Sequence, residues 1–330
     1  RLAGDRPGAA RGYCRMGPLP VVARRMRHHW EEPCISGRRG SGAVFFAGCG
    51  LGCVYCQNGA ISAVGSRGGQ TSDTGGATGC SAGGASEGSD AGDTTGDSAS
   101  ASAGLPGPVS PAALAQIFAE LADARVHNIN LVTPTHFARG VASALEFARR
   151  SGLLRGIPVI YNTSGYETVE TLKRFEGLVD VYLPDMKYAD AELAARYSNA
   201  PDYPGVSRLA VLEMLRQTGP AALGDDGLIR RGLMIRHLIL PGHTQNSIAV
   251  LDWIADNLPH GVAVSLMSQF TPQISAKTAP ASGPEAGLAR GITKREAARV
   301  ESHMLRRGLY TGYVQSLASA DAAYIPDFHN

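Results

Sequence analysis

The chain lacks most of what would mark a membrane, secreted or nucleic-acid-binding protein. No apolar run approaches the roughly 20 residues that a membrane span needs, and the N-terminus has no apolar stretch of the kind that opens a secretory signal. Neither sign of charge dominates: the formal net charge is +2 and the pI about 8.3, a balance that gives no nucleic-acid or membrane signal. Cysteine is scarce. Six in 330 residues are too few for a disulfide-stapled scaffold. The chain begins at Arg1 rather than Met, as a truncated N-terminus would. What is present is ample apolar material: 44% hydrophobic against 18% charged residues, enough for a sizeable core in one large domain or two small ones.

The cysteines are unevenly spread. Cys14, Cys34 and Cys80 stand alone, whereas Cys49, Cys53 and Cys56 share the segment GCGLGCVYCQN with spacing C-x3-C-x2-C. Crowding of this kind suits metal ligation better than disulfides and fits a reducing cytoplasm. Thiolates are the soft ligands that iron–sulfur clusters need. Three of them on a cubane leave one iron without a protein ligand, open to a substrate. Structural zinc and a non-catalytic electron-transfer cluster are the alternatives. Both normally take four protein ligands. No second CxxC is present, so a fourth would have to come from Cys14, Cys34 or a histidine.

Residues 1–40 read as an irregular lead-in with a short helix around Val21–Trp30. Residues 65–108 are almost wholly Gly, Ser, Ala, Thr and Asp, and read as a long disordered insertion that cannot bury enough apolar surface to offset its ordering entropy. The remainder alternates short apolar strands with helices. Strands are expected at 43–47, 128–132, 157–161, 179–183, 232–240 and 262–267. Helices are expected at 110–124, 141–150, 167–175, 189–197, 205–218, 245–257 and 293–307. Such strands suit a parallel sheet covered on both faces. About six strand–helix units predict an α/β fold, either an open doubly wound sheet or an incomplete barrel. Polar clusters follow the strands: Thr133-Pro134-Thr135-His136, Asn162-Thr163-Ser164-Gly165, Pro184-Asp185-Met186-Lys187, Pro241-Gly242-His243 and Ser268-Gln269-Phe270. In barrels of this type they would converge with the cysteine loop on one rim.

The cysteine loop, with an aromatic (Tyr55) just before its third cysteine and an Asn soon after it, resembles that of the radical S-adenosylmethionine (SAM) superfamily. It is most similar to the branch of the pyruvate formate-lyase activating enzymes. HHWEEPCISGRRGSG (28–42), NINLVTPTHF (128–137), VIYNTSGYE (159–167), LPDMKY (183–188), YSNAPDYP (197–204), IRHLILPG (235–242), LMSQFTP (266–272) and IPDF (325–328) resemble a subgroup of these homologues whose substrate the resemblance does not specify. It implies a partial (β/α)6 TIM-type barrel over residues 41–330. It also implies a 4Fe-4S cluster on Cys49, Cys53 and Cys56 that cleaves SAM to a 5′-deoxyadenosyl radical. Tyr55 would contact the adenine of SAM. Thr133 and Thr135 stand where the superfamily carries Gly-Gly-Glu for the SAM amino group. Asn162-Thr163 and Asp185-Met186-Lys187 resemble segments that serve SAM and a monovalent cation, although Asn162 replaces an Asp. Arg236 is a candidate for a SAM carboxylate or ribose, and Gln269 replaces a His. Cys14 resembles the last cysteine of a cysteine-rich N-terminal region, the remnant of an auxiliary metal site. Implied partners are an electron donor such as a flavodoxin or ferredoxin and a glycyl-radical enzyme, with a small molecule or peptide as the alternative substrate.

Other polar residues have plainer readings. Glu31-Glu32 reads as a solvated charge run, His28 and His29 as packing or capping groups, and Cys34 as a small buried apolar residue. Asp185 and Lys187 could also form a mere surface pair, His136 could cap a helix or act near substrate, and His243 is read as a loop residue.

Overall fold

The computed structural model describes residues 19–62, 107–272 and 288–317. Cys14, Cys80, nearly all of the low-complexity segment and the motif at 325–328 lie outside the described residues. The described chain is mixed α/β, with a nine-stranded, mostly parallel, open sheet.

The chain enters through β1 (Val22–His28), turns through a short helix α1 (Pro33–Ser36) and continues in β2 (Ser41–Phe46), antiparallel to β1. The helix expected around Val21–Trp30 is therefore a strand, and the lead-in, as far as it is described, is not irregular. The cause is tertiary. β2 is buried along its whole length, and its outer edge offers a ladder that overrides the helix-favouring Ala, Arg and Met of 22–28. After α2 (Gly59–Ser62) the order is regular. Helix α3 (Pro111–Asp123) is capped by the Ser110 hydroxyl, which accepts from Ala113 N at 3.2 Å, and has Pro at its first position. Then come β3 (Ile129–Val132), α4 (Ala138–Arg150), β4 (Val159–Thr163), α5 (Val169–Lys173), β5 (Val181–Pro184), α6 (Ala191–Ser198) and α7 (Tyr203–Thr218). Strand β6 (Ala222–Leu223) pairs back on β7 (Ile229–Leu238). After them follow α8 (Thr244–Asn257), β8 (Ala263–Met267), α9 (Lys294–Arg306) and β9 (Gly312–Val314).

The order across the sheet is β1-β2-β3-β4-β5-β7-β8-β9, and every pair from β2 onward along that path is parallel. β3, β5 and β8 are buried at every position, as expected where helices cover both faces. Consecutive parallel strands bring their C-terminal ends, and the loops that leave them, to one side. Among the described residues, no helix is long and apolar enough to cross a membrane.

Candidate functional site

The loop after β2 is pinned to α6: Val54 N donates to Tyr197 O at 2.9 Å and Gly52 N to Ser198 O at 3.4 Å. This docking turns Cys49, Cys53 and Cys56 into one pocket. Among the described residues, each sulfur has a polar group within hydrogen-bonding reach. Leu51 N donates to Cys49 Sγ at 3.4 Å, Ser62 Oγ to Cys56 Sγ at 3.3 Å, and Cys53 Sγ lies 2.9 Å from Ser198 Oγ. A hydroxyl chain extends this support, with Ser198 Oγ 2.7 Å from Tyr188 OH and Tyr188 OH 2.6 Å from Tyr55 OH. Burial, aided by the neighbouring thiols, pushes Cys49 up to about 12. Burial pushes Cys53 up to about 11 against the pull of the Lys187 ammonium. As bare thiols they keep their protons and are poor nucleophiles; a bound metal replaces those protons. Among the described residues, no group of three or more His, Cys, Asp or Glu side chains is placed to hold a metal ion. A cubane binds each thiolate at a different iron, so its ligands surround a volume rather than a point. Three thiols lining one pocket fit that donor chemistry, whereas a tetrahedral zinc site needs four ligands at one ion.

The same pocket is lined by Tyr55, Thr133, Asn162, Thr163, Asp185, Lys187, Arg236 and Gln269. Thr133 follows β3 with φ +58°, held by its N–H to Asn162 O at 2.9 Å. Thr135 is not brought to the lining; its hydroxyl donates to Glu167 Oε1 at 2.7 Å. Lys187 Nζ meets Asp185 Oδ2 at 2.5 Å, and with only 15% of the lysine side chain exposed this is no surface pair. Burial works to lower the Lys187 ammonium, but Asp185 overrides it and holds it well above the ordinary lysine value. Gly165 has φ +74°, and a Cβ there would stand 2.2 Å from Asp185 O, so only glycine lets the two loops touch. Gln269 is tied to the cysteine loop, its carbonyl accepting from Gln57 Nε2 at 2.9 Å. His136 and His243 lie elsewhere: His136 Nε2 donates to Ala47 O at 2.5 Å, and His243 Nε2 lies 2.9 Å from Tyr197 OH. Cys34 is buried, as its small apolar character suggests.

Two groups escaped the sequence reading. Glu31 and Glu32 are not a solvated run. Both side chains are more than nine-tenths buried and both form ion pairs with Arg236. Arg236 Nε donates to Glu32 Oε1 at 2.9 Å, and Asn130 Nδ2 donates to Glu31 Oε1 at 2.9 Å. Burial works to raise the Glu32 carboxyl, but Arg236 overrides it and holds it below the usual carboxylate range. The signal was Arg236 itself, a guanidinium inside the apolar strand MIRHLIL, which cannot be buried without carboxylates. The second group is Glu167, 2% exposed and bonded by the Thr135 and Thr163 hydroxyls, with burial pushing it up to about 7. Its place in TSGYE, just after a strand, was the only hint.

Fold and site together define a mixed α/β chain with a thiol-bearing pocket reached by loops at the strands' C-terminal ends. No protein-family model matches the chain. It is similar to an uncharacterized protein of Methanocaldococcus jannaschii, MJ0674, at 28% identity over 273 residues, which cover 82% of this chain and 64% of that protein. The chain thus spans less than two thirds of the length of the relative it matches.

Proposed function

We propose that the chain is a radical SAM enzyme. The observation that carries this reading is that Cys49, Cys53 and Cys56, in C-x3-C-x2-C spacing, line one pocket with Thr133, Asn162, Thr163, Asp185, Lys187 and Gln269. The three thiols would hold a 4Fe-4S cluster with SAM beside it. The cluster, once reduced by an external electron donor, would supply the one electron needed to split SAM to methionine and a 5′-deoxyadenosyl radical. The chain's own residues bind and orient. Tyr55 packs against Phe270, with ring centroids 6.1 Å apart, and offers an apolar edge for adenine. Asn162, Thr163 and Thr133 offer acceptors to an amino group, and Lys187, steadied by Asp185, offers a cation to a carboxylate.

The sheet, on this reading, is a partial (β/α)6 barrel. Gln57, after β2, bonds Gln269, after β8. Those strands are five spacings apart in the sheet, about 24 Å in a flat one at roughly 4.8 Å each. Curvature accounts for the contact. The pocket continues past the thiols to Glu31 and Glu32. That depth favours a small molecule or a single peptide side chain as substrate over a glycine on the loop of a glycyl-radical enzyme.

Anaerobic reconstitution with iron and sulfide, followed by dithionite and SAM, tests the reading. The expected result is close to four irons per chain and release of 5′-deoxyadenosine. A chain that takes up zinc in preference, or that binds iron yet leaves SAM intact under dithionite, overturns it.

A further inference from the structure

The pocket has a far end that the chemistry proposed at the thiols does not use. β1 runs antiparallel to β2, so the loop leaving His28 lies at the N-terminal edge of the parallel strands, while the thiols lie beyond their C-terminal ends. The six residues of β2 run between the two loops, and side chains from both line one pocket.

Three observations give that far end a chemical preference. At that end two carboxylates (Glu31 and Glu32) face one cation (Arg236), leaving one negative charge in surplus, while Asp185 and Lys187 pair with each other nearer the thiols. A buried surplus charge is costly until a partner arrives. Secondly, the His28 ring lines the same end with its side chain 9% exposed; its Nε2 lies 3.9 Å from Glu31 Oε1, and its Nδ1 has no hydrogen-bond partner among the described residues. Burial lowers the His28 imidazole, so it stays neutral and does not cancel the surplus. Thirdly, the Trp30 indole, in the loop leaving His28, lines this end as well, and aromatic faces attract cations. An anion finds no equivalent welcome, because Arg236 is already engaged by both glutamates.

We propose that this end of the pocket binds an ammonium or guanidinium group. Resting on the radical SAM reading, it is the anchor for the cationic end of the substrate, whose remainder extends toward the thiols. The test is isothermal titration of the full chain, at constant ionic strength, with n-pentylammonium, n-pentylguanidinium, pentanoate and 1-pentanol. The two cations are expected to bind saturably and at least tenfold more tightly than the anion or the alcohol. Glu31→Gln is expected to weaken them at least tenfold. Equal affinity for all four probes, tighter binding of pentanoate, or a folded Glu31→Gln protein with unchanged cation affinity overturns the proposal. If that variant does not fold, the ranking of the four probes on the unaltered chain decides alone. The titration requires neither iron nor SAM. Cation binding without 5′-deoxyadenosine formation therefore removes only the radical SAM reading, and 5′-deoxyadenosine formation without cation preference removes only this inference.

Discussion

Cys53 touches Ser198, and through it Tyr188 and Tyr55. Removing its sulfur takes away one of three thiols and leaves that hydroxyl chain without its end. Cys53→Ala is expected to lower iron uptake on reconstitution and abolish 5′-deoxyadenosine formation. Cys34→Ala, outside the pocket, is expected to retain both while losing on the order of 1 kcal/mol of stability from the small void. Iron assay, product assay and urea unfolding separate the two. His237 carries a different consequence. It is fully buried, with Nδ1 2.6 Å from Met186 O and Nε2 2.8 Å from Ser247 Oγ. A carbonyl only accepts, so Nδ1 carries the proton and Nε2 accepts from the serine. Burial drives this imidazole down to about 4 from 6.5. The unfolded chain therefore binds the proton first as pH falls. The stability this group confers is complete above 6.5 and is lost on the way down to 4, a loss of about 3 kcal/mol. In His237→Gln that loss is absent, so the stability gap between the variant and the unaltered protein should close as pH falls from 7 to 4. A gap that stays constant in urea unfolding at pH 7 and 4.5 refutes this account.

Helix α9 begins with a capping box, in which the Thr293 hydroxyl accepts from Glu296 N at 3.2 Å and Glu296 Oε2 accepts from Thr293 N at 2.8 Å. Thr293→Ala is expected to cost about 1 kcal/mol, read as a lower midpoint in urea with an unchanged slope. Elements with such signals were legible in the sequence. Ser110-Pro111, the apolar strands of four to six residues and the helices between them were expected within a few residues of their observed bounds. The strands that were missed lie at the margins of the sheet. β1 carries Arg24, Arg25 and Arg27 on an outer strand, where charge discourages pairing with another chain, and it reads as a helix because its partner is remote in kind, a ladder rather than a pattern. β9 is three residues long and starts at Gly312 with φ +127°, where a Cβ would stand 2.0 Å from Val264 O. No periodicity exists over so short a span. The two-residue β6 was invisible for the same reason.

For the whole molecule, the proposed ligand couples to stability. If SAM binds the folded chain alone, a concentration one hundred times its dissociation constant adds about 2.7 kcal/mol. The reconstituted protein should then melt several degrees higher with SAM than without it. A scan with no shift at saturating SAM counts against a SAM site. The thiols were legible because their spacing is local, and most of their pocket neighbours because they follow apolar strands in segments that carry the resemblance. The opposite end of the pocket was not, since it joins residues more than two hundred positions apart, Glu31 and Glu32 to Arg236. That tether has one more consequence. The guanidinium leaves the upper half of β7 and is held at the lower edge by two neighbours from a single turn, so two consecutive codons set the electrical sign of the chamber. Neutralising both would release the forked head group from its restraints and invert the chamber's polarity, from one that receives bases to one that receives acids.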